Sequence, residues 1–144
     1  MHPFPHHYAV TGAAQPAGPV SLGSTGLPTL ESVPPKEFDG PGDRWSPETL
    51  LTAAVADCFV LSFRAIATAS KFTWSALECR TEGVLDRVAG QSRFTKFSTR
   101  ARLTVPAGSD VERAKKLLEK AEQICLITNS LSAERQLETE VIVA

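Results

Sequence analysis

Cys58 and Cys125 are the residues of this chain best suited to covalent chemistry. Cys58 sits in an almost uninterrupted apolar run, Pro47-Glu-Thr-Leu-Leu-Thr-Ala-Ala-Val-Ala-Asp-Cys58-Phe-Val-Leu-Ser-Phe63. Cys125 closes a second run, Gln123-Ile-Cys125-Leu-Ile-Thr-Asn-Ser-Leu131. Their separation matches no metal-ligand spacing. A thiolate can attack a peroxide or a disulfide, and two thiols on two core helices are what a redox enzyme of that kind requires. The same residues also fit two buried structural thiols, because free cysteine is among the most buried residue types. Cys79, which alternates with Leu77 along a strand, reads as structural.

Redox chemistry sets two conditions on the pair. A disulfide needs the two Cα atoms within about 7 Å. A reactive thiolate needs a nearby cation or helix dipole. Cys58 is mid-helix and gains little from its own dipole, so an imported charge is required. Arg44, just ahead of the helix, is the candidate; Arg64, His6 and His7 read as solvated charges. Glu48 lies ten residues before Cys58. One helix places the two about 15 Å apart along its axis and about 80° apart around it. They cannot meet within one chain, so a Glu48 serving Cys58 has to come from a second copy with its helix antiparallel across a twofold axis. The simpler role for Glu48 is to favour the positive end of its helix.

Other chemistries lack their motifs. The chain has no C-x-x-C, H-E-x-x-H, G-x-G-x-x-G or Gly-Lys phosphate loop. Its three histidines all fall within the first seven residues, so a Cys–His pair would need that arm to fold back. No cofactor or metal is expected.

The elements that must carry these residues are legible in outline. Residues 1–46 are rich in Pro and Gly, with strand-like pieces at Tyr8–Thr11, Val20–Leu22 and Leu30–Val33. Ser46 is a good N-cap, Pro47 suits the first helical position, and a helix apolar nearly all round runs to about Ser70. Asp57 and Arg64 share a narrow polar stripe on it. Residues 72–88 and 93–105 read as a β-hairpin turned at Val88–Ser92. Leu77, Cys79, Thr81 and Leu85 share one face of the first strand; Phe97, Thr99, Ala101, Leu103 and Val105 share one face of the second. Ser109-Asp-Val-Glu112 is a capping box opening a second helix, with a stripe of Val111, Ala114, Leu117, Leu118, Ala121, Ile124 and Cys125. Leu137–Val143 alternates as a last strand. The order predicts an α+β fold with an antiparallel sheet packed on two main helices, in a single domain over residues 1–144.

Composition narrows the partners. The chain has 144 residues and a net charge of −1, with 15 basic and 16 acidic residues, which argues against a nucleic-acid surface. A chain of this length buries roughly 68–70% of its unfolded surface and needs no staples. No run reaches the ~18 apolar residues of a bilayer span, so no membrane partner is expected. No apolar run follows a basic segment at the N-terminus, so no signal peptide is expected. Three cysteines without a secretory signal fit a reducing cytoplasm.

At its cysteine segments the chain resembles the OsmC/Ohr family of organic hydroperoxide-resistance proteins. The resemblance runs from about Pro34 to Val143. It rests on Pro35-Lys-Glu-Phe with the Gly/Pro loop behind it, on Ser46-Pro-Glu48 leading through an alanine-rich helix to Cys58, and on Ala121-Glu-Gln-Ile-Cys125-Leu-Ile-Thr-Asn-Ser-Leu131. It implies an intertwined homodimer with its sites at the subunit interface. By position it implies that Cys58 attacks an organic hydroperoxide and becomes a sulfenic acid. Cys125 would resolve that to a disulfide, Glu48 would be the family's carboxylate, and a dithiol or lipoyl-type reductant would regenerate the thiols. Two positions depart from the pattern. The family's N-terminal arginine would fall near Ala17, no arginine precedes Arg44, and no proline follows Cys125. An alternative reading is a non-catalytic or sensory member that binds a small apolar or thiol ligand at the dimer interface.

Overall fold

Proline and glycine break the first fifty residues into short pieces. The computed structural model describes all 144 residues, in two compact units, Met1–Leu50 and Leu51–Ala144. In the first unit, β1 (Thr11–Ala13), β2 (Val20–Gly23) and β3 (Leu30–Ser32) form an antiparallel meander. β1 starts at Thr11 rather than at Tyr8. Its ladder with β2 begins at the Thr11–Gly23 pair, while the Ala9 carbonyl accepts from Ser24 Oγ at 2.8 Å. A 3₁₀ turn at Lys36–Phe38 ends at Asp39 in the left-handed region. Gly40 follows because the chain doubles back tightly: a Cβ there would stand 1.7 Å from the Pro34 carbonyl oxygen. Val33 N then donates to Trp45 O at 2.8 Å, which fixes the entry to the long helix.

That helix, α1 (Pro47–Ala69), is capped as expected. Ser46 Oγ accepts from Thr49 N at 3.1 Å, and Thr49 Oγ1 accepts from Ser46 N at 2.8 Å. This is capping-box reciprocity with Thr in the usual place of Glu or Gln.

In the second unit, β4 (Ala76–Val88), β5 (Gln91–Val105) and β6 (Glu134–Val143) form a sheet in that order. β4 and β5 are an antiparallel hairpin. Its turn is two residues, Ala89 and Gly90, both at positive φ, so the strands run closer to the tip than the sequence indicated. The register shifts between Val84 and Leu85, where β5 carries Thr95 as an extra residue; Leu85, past the shift, is 38% exposed, whereas Leu77 packs against the core. β6 runs parallel to β5, from Lys96–Glu134 to Val105–Val143. The expected all-antiparallel sheet is corrected at this strand. The helices α2 (Val111–Ile124) and α3 (Leu126–Asn129) lie between β5 and β6 and return the chain to the starting end, as a crossover must. The α+β class stands, with two sheets rather than one.

α2 begins one residue later than its sequence suggested. Asp110 is the N-cap, accepting from Arg113 N at 3.0 Å, while Ser109 Oγ donates to Pro106 O. The core of this unit joins Phe59, Phe63, Ile66 and Ala67 of α1 to Ala101, Leu103 and Val105 of β5 and to Ala114, Leu117, Leu118 and Ala121 of α2. α1 also corrects the expectation about membrane spans. Its 23 residues have the length and average composition to cross a bilayer. Here one face of that apolar helix supplies the core, and the opposite face is open.

Candidate active site

The open face of α1 carries Cys58, half-buried, with Leu61 49% exposed one turn on. Across from it α2 ends at Cys125, whose ψ of 104° leaves the helical region, and α3 begins at the next residue. The break turns the Cys125 side chain inward, where it is 1% exposed. Cys58 lies close enough to act on its thiol. The structure therefore places the two thiols, from separate helices, near enough to influence one another.

The surroundings treat the pair unequally. Burial raises the Cys125 thiol above its ordinary range; hydrogen bonding from Thr128 opposes this, while the nearby Cys58 pushes it further up. Thr128 Oγ1 donates to Cys125 Sγ at 3.2 Å, from the first turn of α3. Cys58 Sγ has Ser62 Oγ at 3.9 Å, one helical turn later. Cys125 is thus a thiol held protonated, with one hydroxyl ready to support its charge when the proton leaves.

An open groove of about 510 Å³ runs past Cys58. Leu61 and Ala65 form one wall, with Ile124, Leu126 and Ile127 on the other. Ile124, expected on the buried stripe of α2, is 46% exposed because it faces this groove instead. The lining has one charged side chain, Asp57, and no Lys or Arg. Bulky apolar groups fit such a channel better than small polar ones.

The other sequence candidates stand elsewhere. Glu48 occupies the first turn of α1 and, within the first unit, borders an apolar hollow of about 300 Å³ with Val20, Val33 and Phe38. Arg44 Nε is 3.0 Å from Glu31 Oε2, an ion pair of that same unit. Arg64 is exposed, and His6 Nε2 lies 3.0 Å from the His2 carbonyl oxygen. Cys79 packs beside the core and donates to the Ala56 carbonyl at 3.7 Å; burial raises its thiol, as do Asp57 and then Glu78. No three His, Cys, Asp or Glu side chains gather as a metal site.

Sequence reasoning missed Thr128, Ser62 and Arg135. Thr128 had a signal, a hydroxyl three residues beyond a cysteine at a helix break. Arg135 had none, because its partners Glu122 and Asn129 reach it only when β6 folds beside α2.

The profile of OsmC-like proteins matches residues 40–140, and so includes Glu48, Cys58 and Cys125. The chain belongs to the OsmC-like protein family. It is 28% identical to the uncharacterized protein YmaD of Bacillus subtilis, over 96% of this chain and 95% of that protein. Among solved structures, an OsmC-like protein of unknown function from Vibrio cholerae superposes with a TM-score of 0.86 at 16% identity, covering 94% of this chain and 99% of the other. An organic hydroperoxide resistance protein OsmC from Legionella pneumophila superposes at 0.74 with 22% identity, over 95% and 97%. Those structures share with this chain a fold of two sheets and helices.

Proposed function

We propose that this OsmC-like chain is a thiol-dependent peroxidase for organic hydroperoxides. The observation that supports it best is the proximity of Cys58, open to an apolar groove, to the protonated, buried Cys125. The Cys58 thiolate attacks the terminal oxygen of R–O–O–H. The O–O bond breaks, the alcohol departs with a proton, and Cys58 becomes a sulfenic acid. Cys125 loses its proton, attacks the Cys58 sulfur and expels hydroxide, which leaves as water. A dithiol of the lipoyl type then supplies two electrons and returns both thiols. Thr128 supports the charge on Cys125 both as it attacks and when it leaves.

In this reading the protein works as a homodimer in a reducing, cytoplasmic compartment. The open face of α1 meets a second copy, whose Glu48 reaches Cys58 across the interface. Arg44 is our assignment for the cation that the thiolate needs, released from Glu31 or shared with it. A groove with no cation in its lining favours a second reading, a non-catalytic protein that binds an apolar or thiol ligand. Replacing Cys58 by Ser separates the two, because a peroxidase loses all turnover with a dithiol and a binding protein has none to lose. In the Cys125→Ser variant, turnover stops after one cycle and mass spectrometry finds added oxygens on the Cys58 peptide. Undiminished turnover in the purified Cys58→Ser protein excludes the mechanism.

A further inference from the structure

Arg135 reaches out of the sheet and holds both ends of the segment that carries Cys125. Its backbone is anchored in the ladder, opposite Phe97 of β5. Its Nε donates to the Glu122 carboxylate, its Nη2 to the Glu122 carbonyl and its Nη1 to Asn129 Oδ1. Glu122 lies in the last turn of α2 and Asn129 ends α3, so one guanidinium brackets Cys125 on both sides. Asn129 closes the ring by donating from Nδ2 to Gln123 O at 3.2 Å. The cluster is not a surface accident: the Arg135 and Glu122 side chains are only 30% and 20% exposed. Last-turn carbonyls of a helix lack internal partners, and Glu122 O would otherwise depend on Cys125 N alone, at 3.3 Å.

We propose that Arg135 is a positioning residue for Cys125, setting how firmly the Cys125 sulfur is presented to Cys58. The proposal rests on the thiol pair forming a disulfide, as argued above. The physical effect is on effective concentration. A helix break with a four-residue α3 has little rigidity of its own. Three hydrogen bonds from a planar fork fixed in a sheet supply that rigidity, and the entropy of fixing the segment is then met in folding instead of in forming the S–S bond. Without the fork, oxidation itself must order the segment, so the disulfide is weaker relative to the dithiol. A structural role remote from the thiols would lower stability and leave that equilibrium unchanged.

The test is a redox titration of the full-length protein in mixtures of reduced and oxidised dithiothreitol, with free thiols alkylated and the Cys58 and Cys125 peptides weighed. In Arg135→Gln the equilibrium constant for the Cys58–Cys125 disulfide should fall at least tenfold, a potential less negative by about 30 mV. Arg135→Lys should fall in between, because an ammonium cannot span three partners in one plane. Arg113→Gln, which removes an unrelated bond to the Ser70 carbonyl and a stack on Phe72, should leave the potential at the wild-type value. If Arg135→Gln does not fold, Asn129→Ala removes one arm and should shift the potential in the same direction by less. An unchanged potential in every folded variant, against a wild-type protein that forms the disulfide, overturns the proposal alone. A wild-type protein that forms no Cys58–Cys125 disulfide in oxidised dithiothreitol overturns the resolving role of Cys125, and this proposal with it.

Discussion

Replacing Thr128 by Val removes the one hydroxyl that donates to Cys125 while nearly preserving volume in a site 5% exposed. A hydrogen bond to a charged group is worth about 1.5–3 kcal/mol, against about 0.5–1.5 kcal/mol for a neutral one. The thiolate of Cys125 therefore loses roughly 1–2 kcal/mol relative to the thiol, and its ionisation, already pushed up by burial, moves further up. The rate does not carry the whole penalty, because a more basic thiolate is a better nucleophile with a Brønsted slope of about 0.4–0.5. About half remains, so attack on the Cys58 sulfenic acid should slow roughly two- to fivefold near neutral pH. Only above the ionisation of both proteins, where the thiolate is fully formed in each, does the sign reverse and the variant attack slightly faster. The assay is one equivalent of organic hydroperoxide followed by timed alkylation and mass analysis from pH 6 to 10. Thr128→Ser should behave as wild type. Equal slowing in Thr128→Ser and Thr128→Val would refute the hydrogen-bond argument and leave a packing defect, and no change at any pH would remove Thr128 from the site.

Further outcomes follow from the same structure. Cys79→Ala should cost about 1 kcal/mol in denaturant unfolding yet keep the wild-type turnover number, since Cys79 packs beside the core and bonds Ala56. Because burial raises the Cys79 and Cys125 thiols in the folded state, both favour folding below the unfolded thiol value of about 8.5. That stability should be lost as pH rises through the folded values, with less loss in Cys79→Ala. Gly83→Val should lower the melting temperature by several degrees, for about 1–3 kcal/mol of overpacking. Even a Cβ there meets Phe97 at 2.8 Å and Phe94 at 2.9 Å. Mixing Glu48→Gln chains with Cys58→Ser chains should restore part of the activity in exchanged dimers, provided each variant alone is nearly inactive. A monomer in light scattering, or mixed dimers that stay inactive, would confine Glu48 to its helix terminus.

Local rules settled much of this protein. Ser46-Pro47 set the start of α1, because caps and proline act over one turn, and the alternation of Phe97 to Val105 set the inner face of β5. Both thiols of the pair were legible as residue type on apolar helices. What local rules could not supply were the events that depend on distant chain. The direction of β6 depends on where the α2–α3 crossover ends, and the exposure of Leu85 on how far the packed core extends along β4. Most of all, the meeting of Cys58 with Cys125 and the grip of Arg135 on Glu122 and Asn129 exist only after packing. The interaction of two thiols and the grip of a guanidinium fork are short-ranged, and only the tertiary fold brings such remote positions together.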